Sequence, residues 1–139
     1  QRVSSGIGAV TAFLDNILQE KDIIVYGKAE ITRDYIFILD VVNMISLFLE
    51  QEGKAKGIRI YNVGTGKGTS IMQVIKVIEE ITGKTAKILF CEERKIDVKR
   101  NVLDTRKLRS VIGVYKCLTL KEGIGEYYKI IKRRNDVGK

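Results

Sequence analysis

The stretch from Ile58 to Gly83 constrains this chain more than any other. Ile58, Ile60, Tyr61 and Val63 read as a short buried strand, and Gly64-Thr65-Gly66-Lys67-Gly68 as a turn. Ile71, Val74, Ile75, Ile78 and Ile81 then recur on one face of a helix that stops at Gly83. Strand, glycine turn and helix in that order first suggest a loop that cradles phosphate. The glycines argue against it. A loop of the G-x-x-x-x-G-K-[ST] kind needs its lysine after the last glycine, and Lys67 precedes Gly68. The dinucleotide pattern G-x-G-x-x-G needs a glycine where Thr69 stands, and its acidic partner about 20 residues on would fall inside the helix. The turn is therefore read as structural, keeping backbone close to a neighbouring helix.

Around this unit helices and strands alternate, which indicates an α/β chain of mixed helices and short strands. Proline is absent, so boundaries rest on glycines and caps. Val10, Phe13, Leu14, Ile17 and Leu18 predict a first helix ending near Glu20. Ile23 to Tyr26 reads as a strand ended by Gly27, and Tyr35 to Leu39 as another extended segment. Asp40 is placed to cap a helix through Leu49, with Val41, Val42, Ile45 and Phe48 apolar. Ser70-x-x-Gln73 is a capping box for the central helix, and Ala86 to Cys91 a strand after it. Asp104 caps a short helix over Thr105 to Ile112, stopped by Gly113. Thr119-x-x-Glu122 opens a last helix ending near Arg133. With no repeat and no linker, residues 1–139 read as one domain.

A chain of 139 residues with 45% hydrophobic content can bury a core of ordinary size. No apolar run is long enough for a bilayer and no signal peptide opens the chain, so a membrane is not expected and the cytoplasm is. Cys91 and Cys117 match no metal spacing and read as buried, reduced thiols. Histidine is absent. That removes Ser–His and Cys–His nucleophile pairs, the common zinc sites and the commonest general base. No metal site and no catalytic residue are assigned. Gln1 and its neighbours read like the middle of a loop, as in an excised fragment or a processed chain.

The net charge of +8 makes anionic partners worth weighing. Arg94, Lys95, Lys99, Arg100, Arg106, Lys107 and Arg109 face only Asp97 and Asp104, while Lys129, Lys132, Arg133 and Arg134 crowd the last helix. A helix C-terminus favours cations, which accounts for the second cluster. Nucleic acid would want stacking aromatics among such charges, and none lies between residues 91 and 114. No nucleic-acid partner is expected, and a basic, non-enzymatic nucleic-acid-binding module stays as an alternative.

An ordered series of short motifs covers nearly the whole chain. Ile24-Val25-Tyr26-Gly27 is followed by Thr32-Arg33-Asp34-Tyr35-Ile36, Asp40-Val41-Val42 and Tyr61-Asn62-Val63-Gly64-Thr65-Gly66. Arg94-x-x-Asp97, Asp104-Thr105-x-Lys107-Leu108 and Thr119-Leu120-Lys121-Glu122-Gly123 complete it. The series resembles the C-terminal, substrate-binding part of the NAD-dependent epimerase/dehydratase family. These are the extended short-chain dehydrogenases acting on nucleotide sugars, with UDP-glucose 4-epimerases as the best-known members. The fold so implied is that portion without its N-terminal Rossmann half. The family's N-terminal half carries a glycine-rich NAD loop and a Tyr-x-x-x-Lys proton-transfer pair, and neither has a counterpart here. Tyr128-x-x-x-Lys132 fits the bare pattern, but on the last helix, where a tyrosine of the apolar face is core. By resemblance, NAD is bound by the other half, the reaction is nucleotide-sugar epimerisation or alternatively 4,6-dehydration, and this chain alone has no turnover. Its expected partners are a nucleotide sugar and that Rossmann half. Apolar faces bared by the half's absence leave homo-oligomer formation open.

A diphosphate is well gripped by planar guanidinium groups, each able to make two parallel charge-assisted bonds. The resemblance makes Arg33 and Arg94 the diphosphate-binding arginines and Asp97 an acceptor for ribose hydroxyls. Read from the residues alone, Arg94 and Asp97 are equally a local surface pair. Ile24 and Tyr26 correspond to positions where strand backbone meets the base, although strand packing accounts for them too. Val10 is expected along the same site, and Asp34 either orients Arg33 or caps its strand. The chain departs from the family where Gly-Asp-Gly becomes Gly27-Lys28-Ala29 and where Arg-Pro-Gly-Asp becomes Arg94-Lys95-Ile96-Asp97. A third departure is Val114-Tyr115-Lys116-Cys117 in place of Trp/Tyr-x-Pro. The charged ends of the site survive these changes, while loop geometry, and so sugar and base preference, does not follow from them.

Overall fold

A computed structural model describes residues 8–27, 29, 31–52 and 58–137. Gln1, Lys28 and the Arg134 side chain lie outside what is described. The helix of residues Ala9–Leu18 (α1) leads into strand Asp22–Tyr26 (β1), strand Thr32–Arg33 (β2) and helix Ile38–Glu52 (α2). Strand Thr69–Ser70 (β3) abuts helix Ile71–Thr82 (α3), followed by strands Lys87–Cys91 (β4) and Arg100–Asn101 (β5). Helices Arg106–Ile112 (α4) and Leu120–Val137 (α5) close the order. This is a mixed α/β fold.

Helix α3 is the centre of the packing. Its capping box forms as read: the Gln73 amide donates to Ser70 Oγ at 3.2 Å, and the Ser70 amide donates to Gln73 Oε1 at 2.8 Å. Gly83 ends it in the left-handed region at φ 70°, a conformation that costs glycine little. Val74, Ile75 and Ile78 are fully buried between α1, which supplies Phe13, Leu14 and Ile17, and α5, which supplies Ile124 and Ile131. Each such side chain contributes about 1.5–3 kcal/mol of transfer free energy. Strand β1 adds Ile23 and Val25 to the same core. The two-residue period of a strand then sends Ile24 and Tyr26 to the opposite face.

Two small sheets follow from this core. β1 and β4 pair in parallel from Asp22↔Lys87 to Tyr26↔Cys91. β2 runs between β3, antiparallel, and β5, parallel, which sets Arg33 beside Thr69 and Asn101. Away from the main core, α2 packs on α4, with Met44 and Leu108 buried and Phe48 edge-on to Tyr61 at 4.9 Å between ring centroids.

Four expectations need correction. Residues 58–63 form no strand, and Ile58 and Ile60 are 98% and 77% exposed. Their backbone is held by side chains instead, with Lys107 Nζ donating to the Ile60 carbonyl at 2.8 Å and Asn62 Nδ2 to the Asp104 carbonyl at 3.1 Å. The segment expected to be extended over Tyr35–Leu39 turns helical at Ile38, because the amides of Asp40 and Val41 both reach the Phe37 carbonyl. Asp40 is thus inside the first turn, not at the cap. Its buried carboxylate accepts from the Tyr115 hydroxyl and the Leu118 amide, each at 3.0 Å. Finally, α5 runs to Val137 and not Arg133. Its capping box is formed, with the Thr119 amide donating to Glu122 Oε2 at 2.7 Å.

Helix α4 begins one residue later than read, at Arg106, yet Asp104 still serves its start. The Asp104 carboxylate accepts from the Arg106 amide at 3.0 Å and from the Arg106 guanidinium at 2.6 Å. The guanidinium first, and the amide second, hold the Asp104 carboxyl down at about 2. A depressed folded value means the stabilisation is complete above the ordinary carboxylate range and disappears as pH falls through about 2. Carboxyl NMR titration should find this midpoint, and Arg106→Ala should raise it. A midpoint near 4 in the unsubstituted chain contradicts the pairing (ordinary aspartate is about 3.9). In denaturant melts, Ile78→Ala should cost about 2–5 kcal/mol and Ile58→Ala no more than about 0.5 kcal/mol. Equal costs would mean that the 58–63 segment is buried after all.

Candidate functional site

The parallel strands β1 and β4 end together at Tyr26 and Cys91, where the Gly27 amide donates to the Cys91 carbonyl at 2.9 Å. Gly27, at φ +68°, turns the chain aside there. Beyond these strand ends lies a cavity of about 380 Å³ whose walls include Tyr26, Ile31, Cys91, Glu93, Asp97 and Lys99. The loop of residues 94–98 forms one rim. A bond from the Asp97 amide to the Arg94 carbonyl, 3.1 Å, folds it into a turn.

Both arginines are held on this loop. Arg94 Cζ lies 3.9 Å from the centroid of the Tyr26 ring, a cation–π distance. Its Nε and Nη2 donate to the two Asp97 carboxylate oxygens at 2.9 and 3.2 Å. Arg33 reaches across from β2 and donates through Nη1 to the Val98 carbonyl at 2.6 Å, one residue beyond Asp97. The same nitrogen contacts the Thr32 carbonyl at 3.0 Å. Tyr26 and Arg33, more than 60 residues before Arg94 and Asp97, therefore meet that pair around one loop. The Arg94–Asp97 pair foreseen as an alternative is present, and at 48% and 18% side-chain exposure it is worth little by itself, under about 1 kcal/mol.

The other two residues stand apart. Ile24 lies on the Tyr26 face of β1, half exposed and opposite Leu89. Val10 lines a second, more apolar cavity of about 330 Å³ between α1 and the start of α5, with Tyr35, Phe37 and Leu118. Tyr128 packs against the main core with Lys132 Nζ 4.7 Å from its ring centroid, as the core reading requires.

The cysteines differ from expectation. Both are free, but Cys91 is exposed and only Cys117 is half-buried. β4 pairs with β1 alone among the described residues, which leaves its last residue open to solvent. Burial, and then the nearby Asp40 carboxylate, push the Cys117 thiol up.

Sequence reasoning missed the part played by Asp34. Its carboxylate neither caps β2 nor orients Arg33 directly; it fills the glycine turn. The amides of Thr65, Gly66 and Leu103 donate to it at 3.0, 2.9 and 3.4 Å, and the Thr65 hydroxyl donates as well. A Cβ on Gly64 would come within 2.7 Å of Asp34 Oδ2, and one on Gly68 within 2.6 Å of Thr32 Cγ2. The glycines therefore admit the β2 segment, not a helix. No local pattern betrays this, because the partners lie 31 to 69 residues from Asp34. The turn does not fit the pyrophosphate of NAD: its amides are taken, and a carboxylate sits where phosphate would lie. Among the described residues no group of three or more Cys, Asp or Glu side chains is placed to hold a metal ion, and no helix is long and apolar enough to cross a membrane.

Comparison with known proteins agrees with this architecture. Residues 5–64 match the sequence model of the NAD dependent epimerase/dehydratase family. A putative UDP-glucose 4-epimerase of Methanocaldococcus jannaschii is 30% identical over 130 residues, which cover 92% of this chain and 40% of that protein. The UDP-glucose 4-epimerase of Thermotoga maritima, solved with UDP-glucose, superposes with a TM-score of 0.79 at 30% identity, over 94% of this chain and 42% of its own. The Thermus thermophilus UDP-glucose 4-epimerase, solved with NAD, gives 0.73 at 28% identity, over 90% and 40%. The chain thus spans about two fifths of the length of these relatives. Sequence and fold together relate this chain to the NAD dependent epimerase/dehydratase family, with UDP-glucose 4-epimerases and related enzymes as its similar proteins.

Proposed function

We propose that residues 1–139 are the nucleotide-sugar-binding portion of an NAD-dependent nucleotide-sugar epimerase of the UDP-glucose 4-epimerase kind. NAD and the proton-transfer residues belong to an N-terminal Rossmann half that works with it. The observation that carries this reading is the convergence of the Arg33 and Arg94 guanidinium groups on the 94–98 loop, beside the cavity under Tyr26. The cavity walls bear Glu92, Glu93 and Asp97 against a single lysine, Lys99. Such walls repel phosphate and accept hydrogen bonds from ribose hydroxyls and base N–H groups. The diphosphate then belongs at the rim, where the guanidinium groups keep further N–H donors beyond those spent on Asp97 and Val98.

This portion supplies binding and position, not proton transfer. A tethered diphosphate holds the nucleotide while the sugar presents its ring to chemistry in the other half. The bare apolar side chains Ile58 and Ile60, with Ile38, Val42, Ile45 and Leu49 along one stripe of α2, suit the docking of that half. Free thiols at Cys91 and Cys117 are in keeping with a cytoplasmic enzyme.

Calorimetric titration of the chain with UDP-glucose tests the site. Arg33→Ala and Arg94→Ala should each weaken binding by about ten- to a hundredfold, the worth of one charge-assisted contact. Bound ligand should also slow alkylation of Cys91, which without ligand should react ahead of the half-buried Cys117. Binding untouched by both substitutions, or Cys91 labelling unaffected at saturation, would sink the assignment.

A further inference from the structure

Strand β2 is only two residues long, and its few ladder bonds cannot by themselves fix the direction in which Arg33 leaves the backbone. The residue after it does more. The Asp34 carboxylate gathers amides from two separate segments, Thr65 and Gly66 on one side and Leu103 on the other, together with the Thr65 hydroxyl. Leu103 follows β5, and β5 is the continuation of the 94–98 loop on which Arg33 rests. The Asp34 amide donates to the Asn101 carbonyl at 3.1 Å, so residue 34 is bonded to this segment through backbone and side chain alike. The far side of the turn is braced by α4, where Arg109 Nη2 donates to the Thr65 carbonyl at 3.0 Å.

We propose that Asp34 is a positioning residue of the diphosphate site, acting through Arg33. By clamping the glycine turn and the outgoing end of the 94–98 loop to β2, it fixes the distance between the Arg33 backbone and the loop that carries Arg94 and Asp97. The two guanidinium groups then face one diphosphate at a set spacing. Gly64 is part of the device, because any side chain there would displace the Asp34 carboxylate. The proposal rests on the nucleotide-binding reading above and extends it to a residue whose carboxylate is spent inside the fold.

The test measures UDP and UMP binding to the full chain by calorimetry, with circular dichroism melts for folding. Asp34→Asn keeps the size of the side chain but sets an amide nitrogen against N–H donors. It should weaken UDP binding by about tenfold and leave UMP within about twofold. Arg33→Ala combined with Asp34→Asn should bind UDP no more weakly than Arg33→Ala alone, since both act through one contact. A purely structural role lowers the melting temperature, leaves the UDP to UMP preference intact and adds to the Arg33→Ala loss; that result overturns the proposal. Should Asp34→Asn not fold, Thr65→Val, which removes one hydroxyl donor, and Gly64→Ala decide the question through the same ratio. A wild-type chain without preference for UDP over UMP overturns the site reading itself. Loss in Arg33→Ala without loss in the Asp34, Thr65 and Gly64 variants overturns only the positioning role.

Discussion

Two-residue strands do not hold a sheet together, and the carboxylate of Asp34 supplies what β2, β3 and β5 lack. Three amides and a hydroxyl from segments on both sides of β2 end on one side chain. Each bond to a charged acceptor is stronger than a neutral ladder bond, so a single residue replaces several rungs. The requirement then passes to the glycines. Gly64 and Gly68 approach Asp34 and Thr32 so closely that a Cβ at either position would meet side-chain atoms under 3.0 Å away. Gly66 adds a positive φ of 73° that other residues adopt with strain.

The apolar half of the molecule obeys a different rule. Helix α3 buries one face between α1 and α5, and β1 lays Ile23 and Val25 under it. This part was legible because its signals are local: a reciprocal cap at Ser70 and Gln73, a left-handed stop at Gly83, and apolar residues at helical spacing. The core sets the direction of β1, and β1 delivers Tyr26 to the rim of the cavity. Packing energy and site geometry thus share one strand, its inward residues serving the first and its outward residues the second.

Where the sequence misled, the deciding contact was distant. Ile58 and Ile60 carry the alternation of a strand, but alternation says only that a face wants covering and not that the described residues cover it. Asp40 has the right identity and place for a cap, yet Tyr115 and Leu118 recruit its carboxylate from 75 and 78 residues away. Burying a carboxylate is costly unless it is hydrogen-bonded, and these partners meet that condition inside the helix's first turn. For the site, Arg94 and Asp97 were readable as a pair because they are three residues apart. The arrival of Arg33 at Val98, 65 residues on, depends on the parallel pairing of β2 with β5, which no window of sequence contains.

The glycine turn shows why a phosphate-like pattern can be present without a phosphate. Successive backbone amides in a turn at the start of a helix form a concave, electropositive nest, and such a nest needs an anion or water. In a nucleotide-binding loop the ligand provides the anion. Here the chain provides its own, from Asp34, next to the arginine that reaches the rim of the cavity. Because this anion belongs to the chain, the free energy of its bonds goes into holding segments of the fold together. The guanidinium groups of Arg33 and Arg94, by contrast, lie away from the turn on the 94–98 loop, with planar donors beyond those spent on Val98 and Asp97. The turn serves as a joint, and Asp34 at its centre ties the short strand that carries Arg33 to the segments on both sides.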